Sequence, residues 1–313
     1  MSVPFREAEI DLDALKANVE RFRELTEGAP LFVDVGADAW GHGLAVVVPA
    51  LAEWGAQAFV VTRADEARTV RALAAEPLIV TTQHVPGDDF SWAEELGVAP
   101  TVRSREEFHR ALAAGVQGVM LAEDTGEGFP GFAPDELEAI VAEAETRGVP
   151  AIVDSAFPVI GAELFGVSEL GVDQADNFAP VLRFSAPIAL TKRVGGGEGV
   201  SYGYTYRTAA ETTLALITLG YGDGLSRAAG NRTEASVDGT KHPLAGRVAM
   251  DATMLDLGDV SAPALGTPAV IVGDAGRGEP TAQQHAEALG THSAEITTRI
   301  SKRVRRSASG GAQ

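Results

Sequence analysis

Few residues in this chain have the types and spacing that chemistry requires. His42, in the word Trp40-Gly41-His42-Gly43, titrates near neutrality and could move a proton. Glu123 and Asp124, with Glu127 close behind and Asp154 further along, could hold a cation or act as paired carboxylates. In a chain with 44 acidic residues against 25 basic ones, solvated carboxylates are the plainer reading of all four, and no metal is expected. Gly195-Gly196-Gly197 offers backbone donors, but no Lys-Ser follows it and no helix start is evident, so it reads as a hairpin turn rather than a phosphate loop. Tyr221, in Gly220-Tyr221-Gly222-Asp223-Gly224, fits a glycine-rich turn between strands, and Met250, in Gly246-Arg247-Val248-Ala249-Met250-Asp251, fits a core-forming strand. Arg303, Arg305 and Arg306 form a basic cluster before SASGGAQ, read as a solvated helix end followed by a disordered tail over 306–313. His42 is read as structural.

Composition excludes several functions. A net charge of −19 repels nucleic-acid phosphates and anionic lipid heads, so no nucleic-acid and no membrane partner is expected. The absence of cysteine removes disulfides, thiolate metal sites and cysteine nucleophiles. The opening MSVPFREAEIDLDALKANV carries acids where a signal peptide needs an apolar core, and a cytoplasmic location is expected. With 313 residues, 45% of them hydrophobic, the chain can fill two domains.

The elements that must position these residues change character partway along. LFVDV (31–35), AFVVT (58–62), PLIVT (77–81), APTV (99–102), GVMLA (118–122) and PAIVD (150–154) are short apolar runs bounded by turn residues, and amphipathic helical stretches lie between them. That alternation predicts βα units on a parallel sheet over 10–182. Residues 1–9 and 183–305 read as a mostly β domain, with dense strand-like runs and glycine turns. A closed barrel needs eight βα units, and only six or seven can be counted. The deficit lies between Phe132 and Gly161, so a shortened or open barrel followed by a mostly β C-terminal domain is expected.

Several words, in order, carry a resemblance. Val35-Gly36-Ala37-Asp38-Ala39-Trp40-Gly41-His42-Gly43 resembles the V-K-A-D-A-Y-G-H-G signature of alanine racemases, whose barrel binds pyridoxal phosphate (PLP). LAEDTG (121–126), GAELFG (161–166), EGVSYG (198–203), GYGDG (220–224), GRVAMD (246–251) and the terminal EITTRIS are similar to further words of that family. The resemblance implies a PLP-type barrel and a head-to-tail dimer. It also implies a set of losses. Gly36 stands where the family's Schiff-base lysine would, Val159 and Phe129 where two arginines would, Ala122 where an often carbamylated lysine would, and Ala294 where a phosphate-reaching tyrosine would. Trp40 and Gly161 complete this degenerate cofactor set. Tyr221 matches the family's second catalytic base and Met250 a residue lining the substrate carboxylate site, both acting in the partner subunit's site.

Losing the lysine removes the covalent step itself, whereas losing one orienting group only slows a reaction. The expectation is therefore a non-catalytic member with no cofactor, PLP being bound neither covalently nor otherwise. Its expected role is that of a scaffold, partner-binding or regulatory protein, as a homodimer or as a heterodimer with a true alanine racemase. The alternatives are a PLP-independent enzyme or a small-ligand-binding protein on the same scaffold and, last in rank, an active racemase.

Overall fold

The computed structural model describes residues 5–126, 128–168 and 178–311. These fall into two compact units, one formed by Arg23–Ala39 with Val47–Gly161, the other by Met1–Phe22, Trp40–Val46 and Ala162–Gln313. Strand β1 (Glu7–Asp11) belongs to the second of these.

The first unit is built on one parallel sheet of seven strands. They are β2 (Phe32–Asp34), β3 (Ala58–Val61), β4 (Leu78–Thr81), β5 (Val98–Val102), β6 (Val119–Leu121), β7 (Ala151–Val153) and β8 (Val159–Ile160). Their spatial order is β7-β6-β5-β4-β3-β2-β8. Strands β3, β5 and β6 are buried along most of their length, as expected where a parallel sheet is covered on both faces. One covering layer comes from helices Ala64–Leu73, Arg105–Ala114 and Pro134–Arg147, which turn Ala67 and Val70, Phe108 and Ala111, and Leu137, Ile140 and Ala144 inward.

The chain connection forces this sheet to curl. Strands β7 and β8 are its two edges, yet only residues 154–158 separate them in sequence. Laid flat, seven strands would hold their outer members about 29 Å apart. The path from Val153 to Val159 reaches at most about 21 Å when fully extended. The result is a half-barrel whose two edges are brought towards each other, in agreement with the shortened barrel expected from the sequence.

The same five-residue bridge fills the interior. After a 3-10 turn over Asp154–Ala156, Phe157 stacks on Phe32 with ring centroids 3.9 Å apart and planes 4° from parallel. It joins Ala58, Val60, Val80, Ala99 and Met120 in a cluster drawn from β3, β4, β5 and β6. Phe157→Ala is expected to cost about 3–5 kcal/mol, since the cavity left inside a curled sheet cannot collapse fully. A urea titration reading less than about 1 kcal/mol would show that the interior does not depend on this ring.

The second unit is mostly β. Its spine is β9 (Leu182–Val194), followed by β10 (Gly199–Val200), β11 (Tyr206–Arg207), β12 (Thr212–Ile217), β13 (Glu234–Val237), β14 (Thr240–Pro243), β15 (Thr253–Asp256), β16 (Pro268–Val272) and β17 (Arg305–Ser309). Strand β9 pairs antiparallel with β1, β12 and β16. The glycine triplet 195–197 does form the turn after β9, where Gly197 N–H donates to Thr208 O at 2.7 Å.

The C-terminal end corrects the sequence reading. Residues 305–309 lie in no loose tail but run parallel to β1, from Glu7 opposite Arg305 to Asp11 opposite Ser309. Arg306 is not a solvated helix-end charge either, because its guanidinium donates to the carbonyls of Ile300 at 2.7 Å, Gly41 at 3.1 Å and Val304 at 3.1 Å.

Helix Ala282–Leu289 packs one polar side chain into this unit. Burial of His285 drives its pKa down to about 4, against hydrogen bonding to the backbone of Glu234 and Ile271, which favours the charged form. The folded ring is therefore neutral at pH 7. As the pH falls from about 6.5 towards 4 the unfolded chain takes up this proton and the folded one does not, so stability present at neutral pH is progressively lost. The loss amounts to about 3 kcal/mol. His285→Leu is expected to flatten the stability–pH profile in that window, and an unchanged profile would show the ring to be solvated.

Candidate functional site

The residues at the end of β2 adopt a backbone that the sequence did not signal. Ala37, Asp38, Ala39 and Trp40 have φ of 52°, 58°, 53° and 54°, a turn of left-handed helix built from side-chain-bearing residues. Each such residue costs about 1–2 kcal/mol, so neighbouring groups must hold the turn in place. Within the first unit, Glu66 does much of this. Its Oε1 accepts from Ala37 N–H at 3.0 Å, while Oε2 accepts from Thr62 N–H at 3.0 Å and Arg63 N–H at 3.3 Å. Ala39 N–H donates to Val35 O at 2.9 Å.

Gly36 opens this turn and is buried. Its N–H donates to Asp34 Oδ1 at 2.7 Å. A Cβ built on Gly36 would meet that oxygen at 3.1 Å and Thr62 Oγ1 at 3.2 Å, so a carboxylate and a hydroxyl crowd the place where a side chain would begin. Two further carboxylates stand at strand ends, and Glu123 N–H donates to Asp154 Oδ1 at 3.0 Å. Among the described residues no cluster of three or more His, Asp or Glu suits a metal ion. Glu127, named with this acidic group from the sequence, lies outside the described residues.

The other expected positions of the degenerate set are dispersed. Ala122 is buried, its N–H donating to Val102 O at 3.0 Å. Phe129 is 75% exposed, and Val159, paired with Phe32 across the β2–β8 edge, is 42% exposed. Gly161 follows β8 and is half-buried. In the second unit Ala294 is buried against Ser168, and His42 is fully buried, stacked on Phe165 at 4.6 Å with Nδ1 3.1 Å from Trp40 O.

The second unit brings Tyr221 and Met250 together. Tyr221 N–H donates to Ala249 O and Gly222 N–H to Met250 O, both at 2.9 Å, so the two loops run side by side. Both side chains are exposed, Tyr221 at 42% and Met250 at 53%. Met250 therefore lies in a surface loop and not in a core strand. Beneath them lies an ionic clamp that sequence reasoning missed. The fully buried Asp223 receives Arg6 Nε at 2.8 Å and Arg303 Nε at 2.7 Å, and Arg303 Nη2 continues to Asp251 at 2.6 Å. Hydrogen bonds to these two carboxylates raise the Arg303 pKa further. The only sequence signal for this clamp was an acid inside a glycine-rich turn.

A curled parallel half-barrel joined in one chain to a mostly β unit, with a strained turn after the first barrel strand, defines a two-domain α/β-plus-β architecture of the kind used by barrel racemases. Residues 10–153 match the family model described as alanine racemase, N-terminal domain, and residues 181–308 the one described as alanine racemase, C-terminal domain. The chain belongs to the alanine racemase family. It is 36% identical to the alanine racemase of Streptomyces coelicolor, covering 96% of this chain and 94% of that one, and 32% identical to that of Thermobifida fusca, covering 96% and 97%. Among solved structures, alanine racemase from a D-cycloserine-producing Streptomyces lavendulae matches with a TM-score of 0.85 at 31% identity, over 100% of this chain and 99% of that one. The Streptomyces coelicolor alignment runs over 372 positions, more than the 313 residues present here, so the relative carries segments this chain lacks.

These comparisons correct the expectation that no cofactor belongs to this chain. The family is PLP-dependent, and relatives named alanine racemase point to PLP rather than to none. The family's covalent way of holding it needs a lysine amine. Gly36 has no amine, Asp34 and Thr62 crowd its α-carbon, and all four lysines (Lys16, Lys192, Lys241, Lys302) belong to the other unit. No chemical step is derived through the cofactor.

Glu66→Ala is expected to lower stability by about 2–4 kcal/mol, because three backbone donors lose a charged acceptor and the left-handed turn loses its anchor. Chemical denaturation measures this, and a change below about 0.5 kcal/mol would show that the turn is held by packing alone.

Proposed function

We propose that this chain is a racemase-family protein that does not racemise, and that it acts as a scaffold or regulatory partner. The observation that carries this reading is Gly36. Inverting a carbon centre by proton transfer needs a base on each face, and a covalent amine adduct needs a lysine. In the resemblance Tyr221 supplies one base and position 36 the other, but position 36 offers only a backbone N–H already given to Asp34. Asp34 Oδ1 and Thr62 Oγ1 stand 3.1 and 3.2 Å from where a side chain at 36 would begin.

Exposed Tyr221 and Met250, on loops fixed by the Arg6–Asp223–Arg303 clamp, are presented for contact with a second subunit. This favours a dimer in which the second chain is either another copy or an authentic racemase. No helix among the described residues is long and apolar enough to cross a membrane.

Purified protein given PLP and L-alanine is expected to form no D-alanine above background. Gly36→Lys alone is expected to remain inactive, since Ala122, Phe129, Val159 and Ala294 still lack polar side chains. D-alanine production by either protein would overturn the proposal. Co-expressed with an authentic alanine racemase, the chain is expected to give a mixed dimer whose activity falls with Tyr221→Phe, and failure to co-purify would eliminate the heterodimer.

A further inference from the structure

Three strands of the second unit carry an apolar row that is left partly open. In β12, Leu216 pairs with Leu190 of β9 on one side and with Met254 of β15 on the other, so the three side chains share a face. Leu190 is 61% exposed, and Leu216 and Met254 are only half-buried. Leu216 and Met254 also line a cavity of about 320 Å³, together with Val200, Leu214 and Arg247. That size falls within the roughly 300–1,000 Å³ typical of ligand sites. Leu190 prolongs the row beyond the cavity, on the far side of Leu216 from Met254.

The polar groups of this cavity differ in what they still have to offer. Ser201 Oγ donates to Arg247 O and Thr253 Oγ1 to Leu219 O, both at 2.7 Å, so both hydroxyl protons are already used. The Arg247 guanidinium is exposed and rests over Gly203, its Cζ and Nη1 each 3.5 Å from the place of a Cβ there. Among the described residues it has no carboxylate partner and donates no hydrogen bond. No acid among them lines the cavity either. Apart from the exposed Tyr202, the site therefore offers one free planar cation above an aliphatic floor.

We propose that this site binds a straight-chain carboxylate of medium length, a fatty acid of the octanoate class. The guanidinium takes the carboxylate through two parallel N–H···O bonds, and the alkyl chain lies over Met254 and Leu216 towards Leu190. The outer two of three paired strands lie about 10 Å apart, a span that an alkyl chain of about eight carbons matches. Burying that chain removes its surface and the half-exposed row from water together. An amino acid fits badly, because its ammonium would meet an aliphatic floor and no carboxylate. A plain alcohol leaves Arg247 without its anion. The site is independent of Gly36 and of whether the chain racemises.

The test uses the full chain at pH 7, labelled with 13C at its methionine methyls and titrated with octanoate, octan-1-ol and butyrate. Met254 reports the site, and Met120, buried in the first unit, is the control. Octanoate is expected to shift the Met254 signal saturably and to bind at least tenfold tighter than octanol or butyrate, with Met120 unmoved. Arg247→Gln removes an exposed side chain that donates no hydrogen bond among the described residues. It is expected to weaken octanoate tenfold or more and leave octanol as it is. Leu190→Ser is expected to narrow the preference for octanoate over butyrate several-fold, because only the longer chain reaches that strand. Equal binding of octanoate and octanol, no saturable shift, or an Arg247→Gln protein that binds like wild type would each overturn the proposal. A Met254 signal that moves with protein concentration and ignores octanoate would also overturn it, and would show the row to be covered by a second copy of the chain.

Discussion

The five residues between β7 and β8 constrain much of the first unit. They join the two outermost strands of a seven-stranded sheet, and no flat sheet permits so short a link. Curling is thus imposed by covalent connectivity before any packing is considered. Packing then makes the curl worth keeping, because the bridge delivers Phe157 onto Phe32 and into the apolar interior. The exposed Val159 and Ile152, one on each edge strand, mark where the barrel stops being a barrel.

The electrostatic character of the two units follows from which charges are paired. In the first unit Asp34 and Glu66 accept from backbone donors, which fixes the position of both carboxylates beside the turn. In the second unit Asp223 is buried between two arginines, where it holds a loop rigid and carries no free charge to solvent. Removing one partner from such a buried set typically costs about 3–5 kcal/mol, more than any surface pair in this chain could. Rigidity at Tyr221 and acidity near Gly36 are therefore separate consequences of where carboxylates find donors.

Much of the first unit was legible in the sequence because its strands are short, apolar and separated by amphipathic helices. Strand β8 was not, being two residues long and directly preceded by Pro158, and it is the strand that reveals how the sheet closes upon itself. Strand β17 reads as polar (RRSAS), and only its pairing with β1 makes it a strand, so local propensity pointed the wrong way. The left-handed turn was equally hidden, since alanine, aspartate and tryptophan do not announce positive φ as glycine does. The Asp223 clamp joins residues up to 245 positions apart, Arg6 and Asp251, which no local pattern can link.

The surviving family words have a physical explanation that does not require activity. A Cβ at Gly220 would lie 2.2 Å from Ala249 O, and one at Gly41 would lie 2.0 Å from Thr297 O, so any other residue there would drive backbone segments apart. Those glycines are fixed by close approach between chain segments. Position 36 differs in kind, since a Cβ there would meet side-chain oxygens at 3.1 and 3.2 Å and no backbone closer than 3.9 Å. A side chain at 36 would need only Asp34 and Thr62 to yield, whereas one at 220 or 41 would break the fold. Glycines 41 and 220 stand where packing demands them, and position 36, where only side chains would have to yield, holds glycine where the resemblance places the racemase amine.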